Sequence, residues 1–325
     1  MKKGNISIFI PHLGCPQQCS FCNQKTITGN VKQPTADDVR EAVEIALKKK
    51  GYEYEIAFFG GSFTAIDRDY MLTLLQAAYP YVEDGRVNGI RISTRPDFID
   101  DEVLTLLKKY GVTSIELGAQ SMDDEVLKAN LRGHTAQDVV NASNLIKSYG
   151  FELGLQMMTG LYLDTDEKAI KTAKKIIALQ PATVRIYPTV VLKGTMLAKL
   201  YEDEVFKPQT VDDAANLCTK LVPMFEEAGI KIIRLGLHAS NDIKKNAVAG
   251  AYHESFGEIV KSRFMLNKIL KLRPGDYEIM VNPRSVSQLK GQQKRNIYFL
   301  MEEGYNIKVT VTDKVAKDDL KIIRR

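Results

Sequence analysis

Short apolar and β-branched runs recur along the chain at 6–11, 55–59, 89–93, 114–118, 151–158 and 184–191. Between them the apolar positions fall three or four residues apart, the spacing of helices that bury one face. Such stretches cover 70–78, 101–110, 135–149 and 166–179. An earlier helix begins at Thr35, a capping residue, with Val39, Val43 and Ala46 on one face and Asp37 and Asp38 in its first turn. Tyr110-Gly111 and Tyr149-Gly150 read as helix ends, because glycine takes the left-handed cap conformation without a steric penalty. A further helix over 211–228 leads into a strand-like 230–237. Regular strand–helix alternation predicts a parallel sheet, either a barrel or a doubly wound sheet. About six units are visible, too few for a closed eight-unit barrel.

The pattern changes in the last third. Residues 277–281 read as a strand, and Asn282 caps a short helix from Pro283 to Lys290. The turn Gly291-Gln292-Gln293-Lys294, a helix over 295–303 and a strand over 305–311 follow. This β-α-turn-α-β order, at about 275–312, resembles the minimal core of a KH domain, whose G-x-x-G loop clamps a nucleic-acid backbone. Lys294 stands where the second glycine would be. Lys290, Gly291, Lys294 and Arg295 would then meet RNA phosphates. The other reading is a generic α/β cap that closes the open barrel. The expected domains are 1–238 and 239–325.

Charge agrees with this division. From Lys231 onward there are 19 Lys+Arg against 10 Asp+Glu, a net of +9, whereas residues 1–230 carry 26 against 30, a net of −4. A basic tail on a soluble protein and a surface for an anionic partner, RNA first, are both compatible with that asymmetry. Apolar residues make up 44% of the 325 and charged residues 26%, ordinary for a globular chain. No apolar run is long enough for a membrane span, and none behind Met1-Lys2-Lys3 resembles a secretory signal. Four cysteines, three of them clustered, are poor material for a disulfide framework and fit a reducing cytoplasm.

That cluster carries the chemistry. Cys15, Cys19 and Cys22 form a C-x3-C-x2-C loop just after the first apolar run. Three thiolates can hold three irons of a [4Fe–4S] cluster and leave the fourth open to a small molecule, whereas structural clusters and zinc usually take four protein ligands. Zinc, with His12 or an outside group as fourth ligand, is the competing reading. Further polar residues fall at successive strand ends, where active sites of parallel barrels lie. They are Gly60-Gly61-Ser62, Thr94-Arg95, Glu116 to Ser121, Leu131 to Thr135, Gln156 and Arg185-Ile186-Tyr187.

Over residues 5–235 these features resemble the radical S-adenosylmethionine (SAM) superfamily. Within it, Glu116–Ser121, Leu131–Thr135 and 187–195 resemble the Elongator catalytic subunit family, which modifies wobble uridines in tRNA. Oxygen-independent coproporphyrinogen oxidase, sharing the cysteine spacing, is a more distant likeness. The resemblance implies an α/β fold: a partial (β/α)6 TIM-type barrel with a small basic C-terminal KH-like module. It implies a [4Fe–4S] cluster and SAM, cleaved by one electron to a 5′-deoxyadenosyl radical that takes hydrogen from the substrate. Flavodoxin or ferredoxin would supply that electron. Gly60 and Gly61 would meet the methionine amino group and Arg132 its carboxylate. Thr94, Arg95, Gln120 and Gln156 would line the ribose and methionine side. Tyr187 and Lys193 are the candidate catalytic positions. The chain departs from the Elongator family in its closer first two cysteines and in Gln156, where relatives carry His or Asp. Residues 158–162 also lack the usual prolines, and no acetyltransferase domain is expected.

Other residues read more plainly. Cys218 lies in a helical run as an ordinary buried thiol, and His134 and His238 as structural or hydrogen-bonding residues. His253 and Glu254 are candidates to face a substrate. Three functions remain: a radical SAM enzyme on RNA, a tRNA base foremost; one on a small molecule such as a tetrapyrrole; and a metal-bearing RNA-binding protein without radical chemistry.

Overall fold

A computed structural model of the chain describes residues 2–11, 15, 18–23 and 32–325. Six strands alternate with helices, as the apolar runs predict: β1 (Lys2–Ile10), β2 (Tyr52–Gly60), β3 (Ile90–Thr94), β4 (Val112–Gln120), β5 (Glu152–Thr159) and β6 (Thr183–Pro188). The intervening helices are α1 (Ala36–Leu47), α2 (Arg68–Glu83), α3 (Asp101–Lys109), α4 (Asp124–Ala129), α5 (Ala136–Ser148) and α6 (Asp166–Ala178). Thr35 caps α1 in a reciprocal capping box with Asp38, and Thr135 does the same for α5 with Asp138.

The run over 184–191 is not one strand. It breaks at Thr189, whose N–H and hydroxyl both donate to Thr159 O, at 2.9 and 2.8 Å. The short β7 (Val190–Leu192) then pairs antiparallel with β9 (Ala247–Gly250), outside the main sheet. After α7 (Met196–Glu202) and α8 (Val211–Glu227), β8 (Lys231–Leu235) joins β6 as a seventh parallel strand. The sheet order is β1-β2-β3-β4-β5-β6-β8, so β1 and β8 are its two edges, and it curls into a partial barrel.

Strand pleating gives the sheet two chemically different faces. Ile56, Phe58, Ile90, Ile92, Ile115, Leu117, Leu153, Leu155, Val184 and Ile186 are almost fully buried in the core that the helices cover. Each fully buried Leu, Ile or Phe stabilises the fold by about 1.5–3 kcal/mol. Alternate positions, Glu55, Arg91, Glu116, Gln156, Arg185 and Tyr187, line the concave side and bond to one another rather than to the apolar core.

A second small core lies at the C-terminus. α9 (Asn241–Asn246) and α10 (Phe256–Leu270) lead to β10 (Gly275–Val281), α11 (Val286–Lys290), α12 (Arg295–Glu302), β11 (Tyr305–Val311) and β12 (Leu320–Arg324). β10 is the centre of a three-stranded sheet, parallel to β11 and antiparallel to β12. Tyr277, Ile279, Val281, Leu289 and Leu300 pack there with Met265 and Ile269 of α10. Gly291 adopts φ +71°, and a Cβ on it would sit 2.8 Å from Asn296 Oδ1, so the turn between α11 and α12 requires glycine. Lys294 and Arg295 are exposed on that turn. Among the described residues, no helix is long and apolar enough to cross a membrane.

Candidate active site

β1 ends at Ile10 and hands over to the cysteine loop. Cys15, Cys19 and Cys22 are described there; Gly14, Pro16, Gln17 and the candidate zinc ligand His12 lie outside the described residues. Cys19 is buried, and its carbonyl accepts from the Cys22 N–H at 3.1 Å. The next residue, Ser20, is fully buried and pins the loop to the barrel. Its N–H donates to Asn130 O at 3.1 Å, and its hydroxyl to Asn130 Oδ1 at 2.7 Å. Asn130 Nδ2 in turn donates to Tyr162 O at 2.9 Å, while the Leu197 N–H donates to Ser20 O at 2.9 Å.

Arg132 reaches the same loop from the β4–α5 connection. Its Nη1 donates to Cys19 Sγ at 3.0 Å and its Nη2 to Gly118 O at 2.5 Å. Leu131 and Gly133 on either side are left-handed, φ 54° and 71°, which sets the direction of the Arg132 side chain. Shielding from water and the adjacent Cys19 push the Cys15 thiol above its ordinary value. A hydrogen bond from the Ser62 backbone, with Arg95 and Arg132, acts in the opposite direction. The two arginines and the Ser62 N–H only partly offset that rise.

The second strand end packs against the first. Gly60 has φ +112°, and a Cβ there would lie 2.6 Å from Ile10 O, which only glycine avoids. The Gly61 N–H donates to Ile10 O at 2.8 Å. Hydroxyl bonds then clamp this turn to β3: Thr94 Oγ1 lies 2.8 Å from Ser62 Oγ and 2.6 Å from Thr64 Oγ1, and the Arg95 N–H donates to Ser62 Oγ at 3.1 Å. Arg95 holds Asp97 as a fork, at 2.9 and 2.7 Å.

The concave face has one hub. Glu116, about 1% exposed, accepts from Arg185 Nε at 2.5 Å, Arg185 Nη2 at 2.9 Å and Gln156 Nε2 at 3.0 Å. Arg91 lies 3.5 Å from it and pairs more closely with Glu55 (2.7 Å) and Glu152 (2.8 Å). Gln156 is thereby held to Glu116 by its amide N–H. Tyr187 sits beside Arg185, and burial raises its phenol above the ordinary range. Lys193 is exposed; its backbone carbonyl accepts from Asn23 Nδ2 at 3.0 Å.

Sequence reasoning placed Glu116 and Arg185 among the strand-end polar residues but did not pair them. The available signal was a charged residue in the middle of an otherwise apolar strand, repeated at Glu55, Arg91, Glu116 and Arg185. His253 accepts the Ser255 N–H at Nδ1, 3.0 Å, and its Nε2 lies 3.5 Å from Gln292 Nε2 on the turn between α11 and α12, while Glu254 lies 3.4 Å from Lys244. Cys218 is buried in α8, and burial pushes its thiol up to about 12, which keeps it protonated and inert.

His134 is buried, and neither ring nitrogen has a hydrogen-bond partner. Burial, with Arg132 nearby, lowers its pKa from 6.5 to about 4. The unfolded chain therefore takes up the proton first as pH falls. His134 contributes stability above pH 6.5 that is lost as pH falls toward 4, by about 3 kcal/mol. Asp164, pushed up to about 6 by burial, has the opposite sign and gives up stability as pH rises through that range. The test is therefore a difference: urea unfolding of the wild type minus that of His134→Leu should fall between pH 6.5 and 4. A difference independent of pH would show that the imidazole is not held neutral.

Among the described residues, no three His, Cys, Asp or Glu side chains converge as one metal ion requires. Zinc binds its sulfurs at about 2.3 Å from a single centre, whereas a cluster puts each thiolate on a different iron.

The family model for the radical SAM superfamily matches residues 9–176, and that for the Radical_SAM C-terminal domain matches 181–265. The chain belongs to the radical SAM superfamily. A tRNA uridine(34) acetyltransferase of Methanocaldococcus infernus is 33% identical over 194 residues, 53% of this chain and 36% of that protein. Elongator complex protein 3 of Homo sapiens is 29% identical over 255 residues, 68% of this chain and 46% of that protein. The solved structure of archaeal Methanocaldococcus infernus Elp3, lacking residues 1–46, has a TM-score of 0.66 at 23% identity. It covers 84% of this chain and 64% of that chain, a likeness of fold. This radical SAM chain thus spans between 36% and 64% of the length of these three proteins.

Membership brings a [4Fe–4S] cluster and SAM as cofactors and makes the chain a radical SAM enzyme. The residues present fit both. Three thiols stand in the loop, and three buried polar atoms beside it have no partner in the fold: Arg95 Nη1, Arg132 Nε and Gln120 Oε1. Two N–H donors on cations suit a carboxylate, and an amide oxygen suits a hydroxyl or ammonium. Gln120 is held at φ 63°, a conformation retained where surroundings dictate it. Among the residues expected to contact SAM, Thr94 Oγ1 lies 2.8 and 2.6 Å from the Ser62 and Thr64 hydroxyls, and Gln156 Nε2 donates to Glu116.

Proposed function

We propose that this radical SAM enzyme modifies RNA, a tRNA base foremost, in the cytoplasm, with a one-electron carrier such as flavodoxin or ferredoxin as reductant. The observation that carries this reading is one chain that joins a radical SAM barrel to a basic β-α-α-β unit with a glycine-initiated cationic turn. Lys290, Gly291, Lys294 and Arg295 are its phosphate contacts. The names of the sequence relatives, tRNA uridine(34) acetyltransferase and Elongator complex protein 3, point to the same class of substrate.

When bound, the cofactors supply a 5′-deoxyadenosyl radical, which takes a hydrogen atom from the substrate. The rest falls to this chain's side chains. Cys15, Cys19 and Cys22 hold the cluster, and Arg132 orients Cys19. Arg95 and Arg132 present charge to the methionine carboxylate, and Gln120 accepts from the cofactor. Gly60 lets the backbone of β2 approach β1 closely enough to shape the floor. The Glu116–Arg185 pair holds the barrel interior polar and fixed, with Tyr187 offering a hydroxyl from the same face.

Lys294→Glu with Arg295→Glu should weaken binding of total tRNA in gel shifts. It should also flatten the dependence of log K on log salt by about 0.7 for each phosphate that is no longer neutralised. Unchanged binding and slope would remove the tail from the RNA interface. The deciding experiment is mass spectrometry of tRNA nucleosides from cells with and without this chain. A nucleoside absent only from the deletion supports the proposal, and identical profiles reject it.

A further inference from the structure

Leu131, Leu163 and Met196 are large apolar residues that expose 44%, 44% and 42% of their surface. Each adjoins a residue of the hydrogen-bond ring around Ser20. Leu131 follows Asn130 and Leu163 follows Tyr162, the two residues linked by the Asn130 side chain. Met196 precedes Leu197, whose N–H donates to Ser20 O. Ser20 itself follows Cys19. The three side chains therefore stand in solvent beside the cluster-binding loop.

Two of them are held there against backbone preference. Leu131 has φ 54° and Leu163 φ 61°. A bulky side chain meets a steric penalty in the left-handed conformation. At Leu131 that conformation ends α4, with the Arg132 N–H donating to Leu127 O at 3.0 Å; what marks a contact surface is the exposure of apolar side chains beside the cluster-binding loop.

Charge surrounds the patch. Lys128 in the last turn of α4, Lys193 after β7 and Lys199 in α7 are exposed. Among the described residues they make no ion pair, whereas Glu125 and Asp123 nearby are taken by Lys168, at 2.6 and 3.9 Å, and Asp124 and Asp164 accept backbone N–H bonds. The acidic Glu202–Glu204 segment lies at the other end of α7, about 10 Å along the helix from Met196. Leucine and methionine ringed by lysine suit a protein with an acidic rim. A surface for RNA bases would carry exposed aromatic or arginine platforms, whereas Leu131, Leu163 and Met196 are aliphatic.

We infer that Leu131, Leu163 and Met196, framed by Lys128, Lys193 and Lys199, form the docking surface for an acidic one-electron carrier protein. One electron leaves the carrier, which is oxidised by one electron, and enters the cluster, which is reduced by one. No bond is made or broken. The inference rests on family membership and not on the RNA reading.

The test uses the reconstituted protein and chemically reduced flavodoxin as probe. Binding is measured by calorimetry, and cluster reduction by the loss of its visible absorbance. Leu163→Asn keeps the left-handed conformation, which asparagine tolerates, and removes the apolar contact; Lys128→Glu reverses one charge. Each should weaken flavodoxin binding and slow reduction by roughly five-fold or more, with reduction by dithionite unchanged. Wild-type binding should weaken as salt rises. Variants that bind and accept electrons from flavodoxin like the wild type would overturn the inference. So would variants that lose tRNA affinity while keeping flavodoxin affinity, because the patch would then be an RNA contact.

Discussion

Glu116→Leu should destabilise the barrel by about 3–5 kcal/mol, the largest loss expected from any single concave-face substitution. The carboxylate is about 1% exposed and accepts from Arg185 and Gln156, with Arg91 at 3.5 Å. Removing it leaves the largely enclosed Arg185 guanidinium without its principal partner. An uncompensated buried cation is worse than no ion pair at all. The sign of the double variant is therefore informative. Glu116→Leu with Arg185→Met removes both charges and should recover much of the loss. Urea midpoints of the wild type, Glu116→Leu, Arg185→Met and the double variant measure this directly. A double variant no more stable than Glu116→Leu alone would mean that the network beyond the pair, through Arg91 and Gln156, carries the energy.

Cys19→Ala should abolish the cluster absorbance of anaerobically reconstituted protein, and dithionite-driven SAM cleavage with it. Cys19 is buried, receives Arg132 Nη1 at 3.0 Å and precedes the fully buried Ser20, so no neighbouring group can take its place. Cys218→Ala should leave the absorbance intact. Its thiol is enclosed in α8 and held protonated, with a pKa of about 12. Loss of the cluster in Cys218→Ala would overturn the assignment of three ligands.

The strands were legible because their apolar runs are bounded by glycine and by capping residues. Thr35 and Thr135 cap helices at the positions their side chains predict. Residues 184–191 read as one strand because Thr189 is β-branched and Pro188 lies near the end of the run. Only the bonds to Thr159 O, on another strand, show the break. The seventh strand was visible as an apolar run, but its place beside β6 depends on a pairing across some 50 residues of chain that periodicity does not encode. In the site, the cysteines were legible because spacing alone defines them. Glu116 and Arg185 were visible as strand residues, yet their mutual bond is a property of the barrel's curvature. α10 was missed because its apolar residues are spread around the helix rather than concentrated in one stripe.

β1 and β8 are the two ends of a sheet that never meets itself. A closed barrel has a girth fixed by strand number and stagger. This one has no such constraint, so the width of its mouth is set by whatever bridges the two edges. Unlike a closed barrel, such a sheet leaves a flank, between β1 and β8, along which a bulky substrate would not have to be threaded down an axis.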